Sequence, residues 1–202
     1  MLESNFSKGV GLYNRKMIKD NQYFVFMDYE TTGIDTSRIT KDRPIQIGLV
    51  LTDSKFKKLL EYQRYIKWDS IMEILFDNKW PEEFQGAYKV HKIEPETIFV
   101  EGEYPYTIRQ ELNFHLKKYC NNRKPVIISD APNFEMFWTE MIYGSRQSKS
   151  FPFHYNAWSI YPTFQLLDVN MDKKPHDALS DAKLLHKGML EVSKKLKEFN
   201  NE

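Results

Sequence analysis

Two carboxylates close a run of apolar residues. In FVFMDYETTG, residues 24–33, Asp28 and Glu30 stand at i and i+2 directly after Phe-Val-Phe-Met. In an extended strand such residues face the same side, about 6.6 Å apart along the chain. Two anions at the end of a buried strand repel each other, and each desolvated charge costs several kcal/mol unless it is paired. A divalent cation removes both costs, and oxygen ligands without cysteine suit a hard ion, Mg²⁺ or Mn²⁺. The bland alternative is a strand that ends in solvent, with both acids merely hydrated. The turn Thr31-Thr32-Gly33 adds backbone N–H groups and a position without a side chain, where a sugar or phosphate could come close.

A second group lies in PHDALSDA. His176 and Asp181 are five residues apart, about 140° around a continuous helix. They converge only if His176 precedes the helix, and Pro175 marks such a start. Asp181 then falls in the first turns, where the helix dipole favours an anion. Here the alternative is a surface histidine beside ordinary N-terminal acids. The segment VIISDAPNFEMFW has the strand, loop and helix order that brings an acid to a cleft. Asp130 in the loop and Glu135 on the helix both qualify, and Asp130 is equally a credible turn cap.

These residues need elements to hold them. QYFVFMDYE and IQIGLVLT read as buried strands. LLEYQRYIKW reads as an antiparallel arm, with Leu60, Tyr62, Ile66 and Trp68 at even spacing. IMEILF has room for a helical turn or two, and Pro95 opens a short helix. Thr107-x-x-Gln110 suggests a capping box for a helix carrying Ile108, Leu112, Leu116 and Tyr119. RKPVIISD is a further core strand, followed by a helix in APNFEMFWTEMIYG. Residues 144–175 are loop-rich, with a short helix in SIYPTFQLLD. The last helix carries Ala178, Ala182, Leu185, Met189, Val192 and Leu196 at steps of three and four. The order β-β-β-α-β-α-α implies an α/β fold with a mixed sheet. Residues 1–21 read as an extension, and residues 22–202 as a single domain.

The bulk properties narrow the function. A chain of 202 residues favours one domain. Its net charge of +1 provides no broad basic field for coating duplex nucleic acid, but permits a strand end held at one site. One cysteine, Cys120, excludes an internal disulfide and a cysteine metal cluster. No apolar run approaches the roughly 18 residues of a membrane span, and the N-terminus lacks the apolar stretch of a secretory signal. A soluble cytoplasmic protein is expected. His91, His115, His154 and His186 form no spaced pair suited to zinc. The lysines of the last helix read as a solvated face. Phe134, Phe137 and Trp138 are expected in the core, and Phe151, Phe153 and Tyr155 are candidates for stacking on bases.

Together these segments resemble the DEDDh 3′–5′ exonucleases of the RNase H-like superfamily. The first motif, D-x-E followed by T-T/S-G, is matched by Asp28, Glu30, Thr31, Thr32 and Gly33. The third, H-x-A-x-x-D-A, is matched by His176, Ala178, Asp181 and Ala182. The resemblance spans residues 22–198. It implies an RNase H-like mixed sheet of about five strands with helices on both faces. It also implies two-metal hydrolysis of phosphodiester bonds, releasing nucleoside 5′-monophosphates from the 3′ end of single-stranded DNA or RNA. Asp28 would bridge two divalent cations, Mg²⁺ or Mn²⁺. Glu30 and Asp181 would hold the one that binds the nucleophilic water, and Glu135 the other, partly through water. His176 would be the general base, and Thr31, Thr32 and Gly33 would meet the substrate. The second motif departs: the family has N-x-x-F-D, whereas Phe134 is followed here by Glu135. Asp130 is therefore a rival for the fourth acid. The departure leaves open a catalytically weakened relative that binds nucleic acid or docks a partner, and a homodimer is equally compatible with the sequence.

Overall fold

The computed structural model describes residues 22–37, 41–75 and 79–201. The extension expected over residues 1–21 lies outside them. Five strands, β1 (Phe24–Thr31), β2 (Pro44–Thr52), β3 (Lys58–Tyr65), β4 (Val126–Ser129) and β5 (Trp158–Ser159), form one sheet in the order β3-β2-β1-β4-β5. β1 pairs antiparallel with β2 and parallel with β4, so the sheet is mixed as expected. The arm read in LLEYQRYIKW is β3, antiparallel to β2. The helices are α1 (Asp69–Ile74), α2 (Gln85–His91), α3 (Pro95–Glu101), α4 (Pro105–Cys120), α5 (Pro132–Tyr143), α6 (Tyr161–Leu166) and α7 (Ala178–Asn201).

β1 is central, and all eight of its residues are buried. Period two divides them between the faces. Val25, Met27 and Tyr29 pack with Ile108, Leu112 and Leu116 of α4 and with Met136 and Trp138 of α5. Phe24 and Phe26 pack with Phe164 of α6 and with Ala182, Leu185 and Val192 of α7. Burying each phenylalanine contributes about 1.5–3 kcal/mol, which fixes which face the rest of the strand presents. A smaller cluster, with Ile45, Ile71, Trp80, Phe84 and Ile98 at its centre, packs beneath α1–α3.

Gly48 of β2 stands opposite Asp28. A Cβ there would overlap the backbone of Ala178 and Leu179, so α7 rests its first turn directly on the sheet.

Three expectations need correction. Thr107 lies inside α4, whose N-cap is Tyr104 without a side-chain cap bond; Pro105 opens the helix instead, where its missing N–H costs nothing. The loop-rich stretch contains β5, two residues paired parallel to β4. Phe151 and Phe153 are fully buried against Tyr143 in the α4/α5 core, so neither is free to stack on a base.

Candidate active site

The buried face of β1 that begins with Phe24 and Phe26 continues as Asp28 and Glu30. The change from phenylalanine to carboxylate falls where α7 starts. Asp181 lies in the first turn of that helix and is also buried. Before it, His176 adopts a left-handed backbone (φ 59°), which turns the chain from Pro175 into the helix. Asp177 caps α7 by accepting from Ser180 N (3.0 Å) and Ser180 Oγ (2.7 Å). Its other oxygen accepts from Gln46 Nε2 (3.1 Å) and Gln63 Nε2 (2.6 Å). Gln46 Oε1 in turn accepts from Ala178 N at 2.9 Å. The start of α7 is therefore tied to β2 and β3 by side chains as well as by Gly48.

Asp28, Glu30, Asp130, Glu135, Asp181 and His176 line one cavity of about 270 Å³. Their ligand atoms fall into two sets, each within 4.8 Å of one another: Glu30, His176 and Asp181, and Asp28, Asp130 and Glu135. The rivals Glu135 and Asp130 therefore reach the same set. Glu135 is buried and accepts from Ser129 Oγ at 2.7 Å, whereas Asp130 is partly exposed. Lys174 Nζ lies 2.8 Å from Asp28 Oδ1 and 3.0 Å from Asp130 Oδ2. Asp181 Oδ1 is buried and has no hydrogen-bond partner.

The electrostatics reflect that imbalance. Burial pushes Asp28 up to about 7, with Lys174 opposing and Asp181 and Asp130 adding to the rise. Burial and then the charges of Asp28 and Asp181 push Glu30 up to about 8. Burial and Asp28 push Glu135 up to about 8, and burial raises Asp181 to about 6. Burial works against the Lys174 ammonium, but Asp28 and Asp130 outweigh it and hold its pKa above the ordinary value. Asp177 is the contrast. Burial would raise it too, yet its bonds from Ser180, Gln63 and Gln46 keep it below the usual carboxylate range. The site acids differ from Asp177 in lacking enough donors, which is the condition a cation corrects.

Thr31 and Gly33 also line the cavity, but Thr32 does not. The Thr32 hydroxyl accepts from Arg43 N at 2.9 Å and lies 3.4 Å from Asp42 Oδ1. A Cβ on Gly33 would overlap the Asp42 carboxylate, so that glycine makes room for a loop contact. Tyr29 points away from the two acids, as strand parity predicts, and its hydroxyl meets Thr139 Oγ1 at 3.1 Å. Tyr155 is exposed and stacks on His154, away from the cavity. Two residues at the site were not assigned to it from sequence. His91 forms part of the cavity wall, accepts from Ile93 N at 2.9 Å, and is lowered to about 4 by burial first and then by His176. Lys174 is the other; the adjoining Pro175 was the one available signal.

The sequence matches the exonuclease family described as RNase T over residues 25–187. Among solved structures, E. coli exonuclease I in complex with a dA16 oligonucleotide superposes with a TM-score of 0.64 at 17% identity, covering 88% of this chain and 42% of that one. Exonuclease I without ligand gives 0.63 at 18% identity, covering 88% and 43%. The chain spans less than half the length of these relatives, and at such identity the likeness concerns the fold. No curated protein matches the sequence. With the family match covering most of the chain, and with the acids of its motifs facing one cavity, the protein belongs to the RNase T family of DEDD exonucleases and carries their RNase H-like fold.

Proposed function

We propose that the protein is a divalent-cation-dependent 3′–5′ exonuclease that removes nucleoside 5′-monophosphates from single-stranded nucleic acid. The observation that carries this is the convergence of five carboxylates and the His176 imidazole, from three remote parts of the chain, on one cavity with a single lysine among its lining residues. The unpartnered Oδ1 of Asp181 and the all-oxygen carboxylate set fit a hard cation. Asp28, Glu30 and Asp181 would hold one ion, and Asp28 with Glu135 and Asp130 the other. When bound, such ions make water more acidic and offset charge that builds on the phosphate.

The chain's own residues supply the rest. His176, beside Glu30 and Asp181, accepts the proton of the attacking water. The P–O3′ bond then breaks, the leaving O3′ takes up a proton from water, and the shortened strand departs with its 3′ hydroxyl. Ile34, Val90 and Phe134 give the cavity an apolar wall against which a terminal base can rest. Gly33 and Thr31 border the path of the sugar–phosphate end. The exonuclease I relatives were captured with dA16 and dT13, which supports a single-stranded substrate; DNA and RNA differ by a 2′-hydroxyl contact.

The test is a matched degradation assay. Single-stranded DNA, single-stranded RNA, a di- to pentanucleotide series and a 3′-overhang duplex, each 5′-labelled, are incubated with Mg²⁺ or Mn²⁺. Stepwise shortening from the 3′ end is expected, and Asp28→Ala should abolish it. Substrate left intact after long incubation with Mn²⁺ would overturn the proposal.

A further inference from the structure

The family's motifs do not account for Lys174. It lies in the irregular segment 169–175, between α6 and α7. Its ammonium bridges Asp28 and Asp130, two of the three carboxylates whose oxygens cluster within 4.8 Å. Those oxygens are the ones that would hold a cation there. Among the described residues that line the cavity, Lys174 is the one lysine or arginine, set against five carboxylates.

We propose that Lys174 is a built-in competitor for the divalent cation. Its ammonium occupies the position between Asp28 and Asp130 and withdraws when the ion binds there. The inference rests on the reading of these acids as a metal site. Three physical points support it. A lysine head supplies one charge and three donors, so it relieves Asp28 and Asp130 but leaves the Asp181 oxygen without a partner. A divalent ion carries twice the charge and draws on more ligands, so it wins once its concentration suffices. An ammonium kept in place beside a bound ion would face like-charge repulsion in a poorly solvated cavity. Departure is also easy. The side chain is 29% exposed, its stem is flexible, and its backbone belongs to neither helix nor strand. The device holds the acids together in the ion-free protein and raises the ion concentration at which the site fills.

The test uses the full chain and measures Mn²⁺ binding by calorimetry and by the electron paramagnetic resonance signal of free Mn²⁺. The wild type is compared with Lys174→Met and Lys174→Gln, which remove the charge, and with Lys174→Arg, which keeps it. Losing a charge-assisted competitor should tighten one of the Mn²⁺ sites about ten- to a hundredfold in both neutral variants. Lys174→Arg should stay near the wild type. In EDTA the neutral variants should melt below the wild type, and Mn²⁺ should raise their Tm by the larger increment. That pattern separates competition from simple misfolding. Equal or weaker Mn²⁺ binding in the neutral variants overturns the proposal while leaving the metal site intact. Absence of Mn²⁺ binding in every chain, wild type included, overturns the metal reading and this inference together.

Discussion

Replacing Glu30 by glutamine should stabilise the metal-stripped protein at pH 8 and leave it nearly unchanged at pH 5. Glu30 is buried, and burial first, then the charges of Asp28 and Asp181, raise its carboxyl from 4.5 to about 8. The sign follows from proton binding. Between those values the folded chain holds a proton that the unfolded chain has released, so stability falls as pH rises through that window. At about 1.4 kcal/mol for each pH unit between them, the loss approaches about 5 kcal/mol by pH 8. That is a large share of the about 5–15 kcal/mol by which a domain is stable. Glutamine has the same shape and no charge, so the variant should escape most of the loss. Urea unfolding in EDTA at pH 5 and pH 8 measures it, and thermal melts should show an increase in Tm of about 10 °C at pH 8. Saturating Mn²⁺ should reverse the order, because the wild type then gains a ligand that the variant has lost. If Glu30→Gln in EDTA at pH 8 is no more stable than the wild type, the acids are already satisfied by the protein and the case for a cation weakens with them.

Two further outcomes follow from the geometry. His176→Ala should lower turnover by about 10²–10⁴-fold while Mn²⁺ affinity stays within a few-fold, since the imidazole is assigned to proton transfer; near-wild-type turnover would refute that assignment. Gly48→Ala should destabilise by about 1–3 kcal/mol through overlap with Ala178 and Leu179, and should reduce activity by more than the folded fraction explains, because the turn that carries Asp181 moves. Denaturant unfolding and turnover, measured on the same preparation, check both parts.

The acids of β1 were legible because strand parity is strict. Once Phe24 and Phe26 commit one face to the core, Asp28 and Glu30 must follow on that face. Asp181 was legible from helical spacing, and His176 from the proline before it. The choice between Asp130 and Glu135 was not legible, because Asp130 in the β4–α5 connection and Glu135 in the first turn of α5 both reach the same carboxylate set. Lys174 escaped because a side chain on an irregular segment takes its direction from tertiary contacts rather than from a period. Phe151 and Phe153 misled for the same reason: their segment is loop in pattern but core in place. β5, at two residues, is too short for any periodicity to register.

The shared face of Phe24, Phe26, Asp28 and Glu30 makes the acid-lined cavity and the hydrophobic interior two ends of one strand face. Deleting one residue upstream of Asp28 within β1 would rotate both acids under α4 and α5 and turn Tyr29 toward the cavity, so fold and chemistry would fail in one step. The strand can therefore exchange a side chain at the cost of one contact, whereas a change in its residue count moves every side chain that follows to the other face.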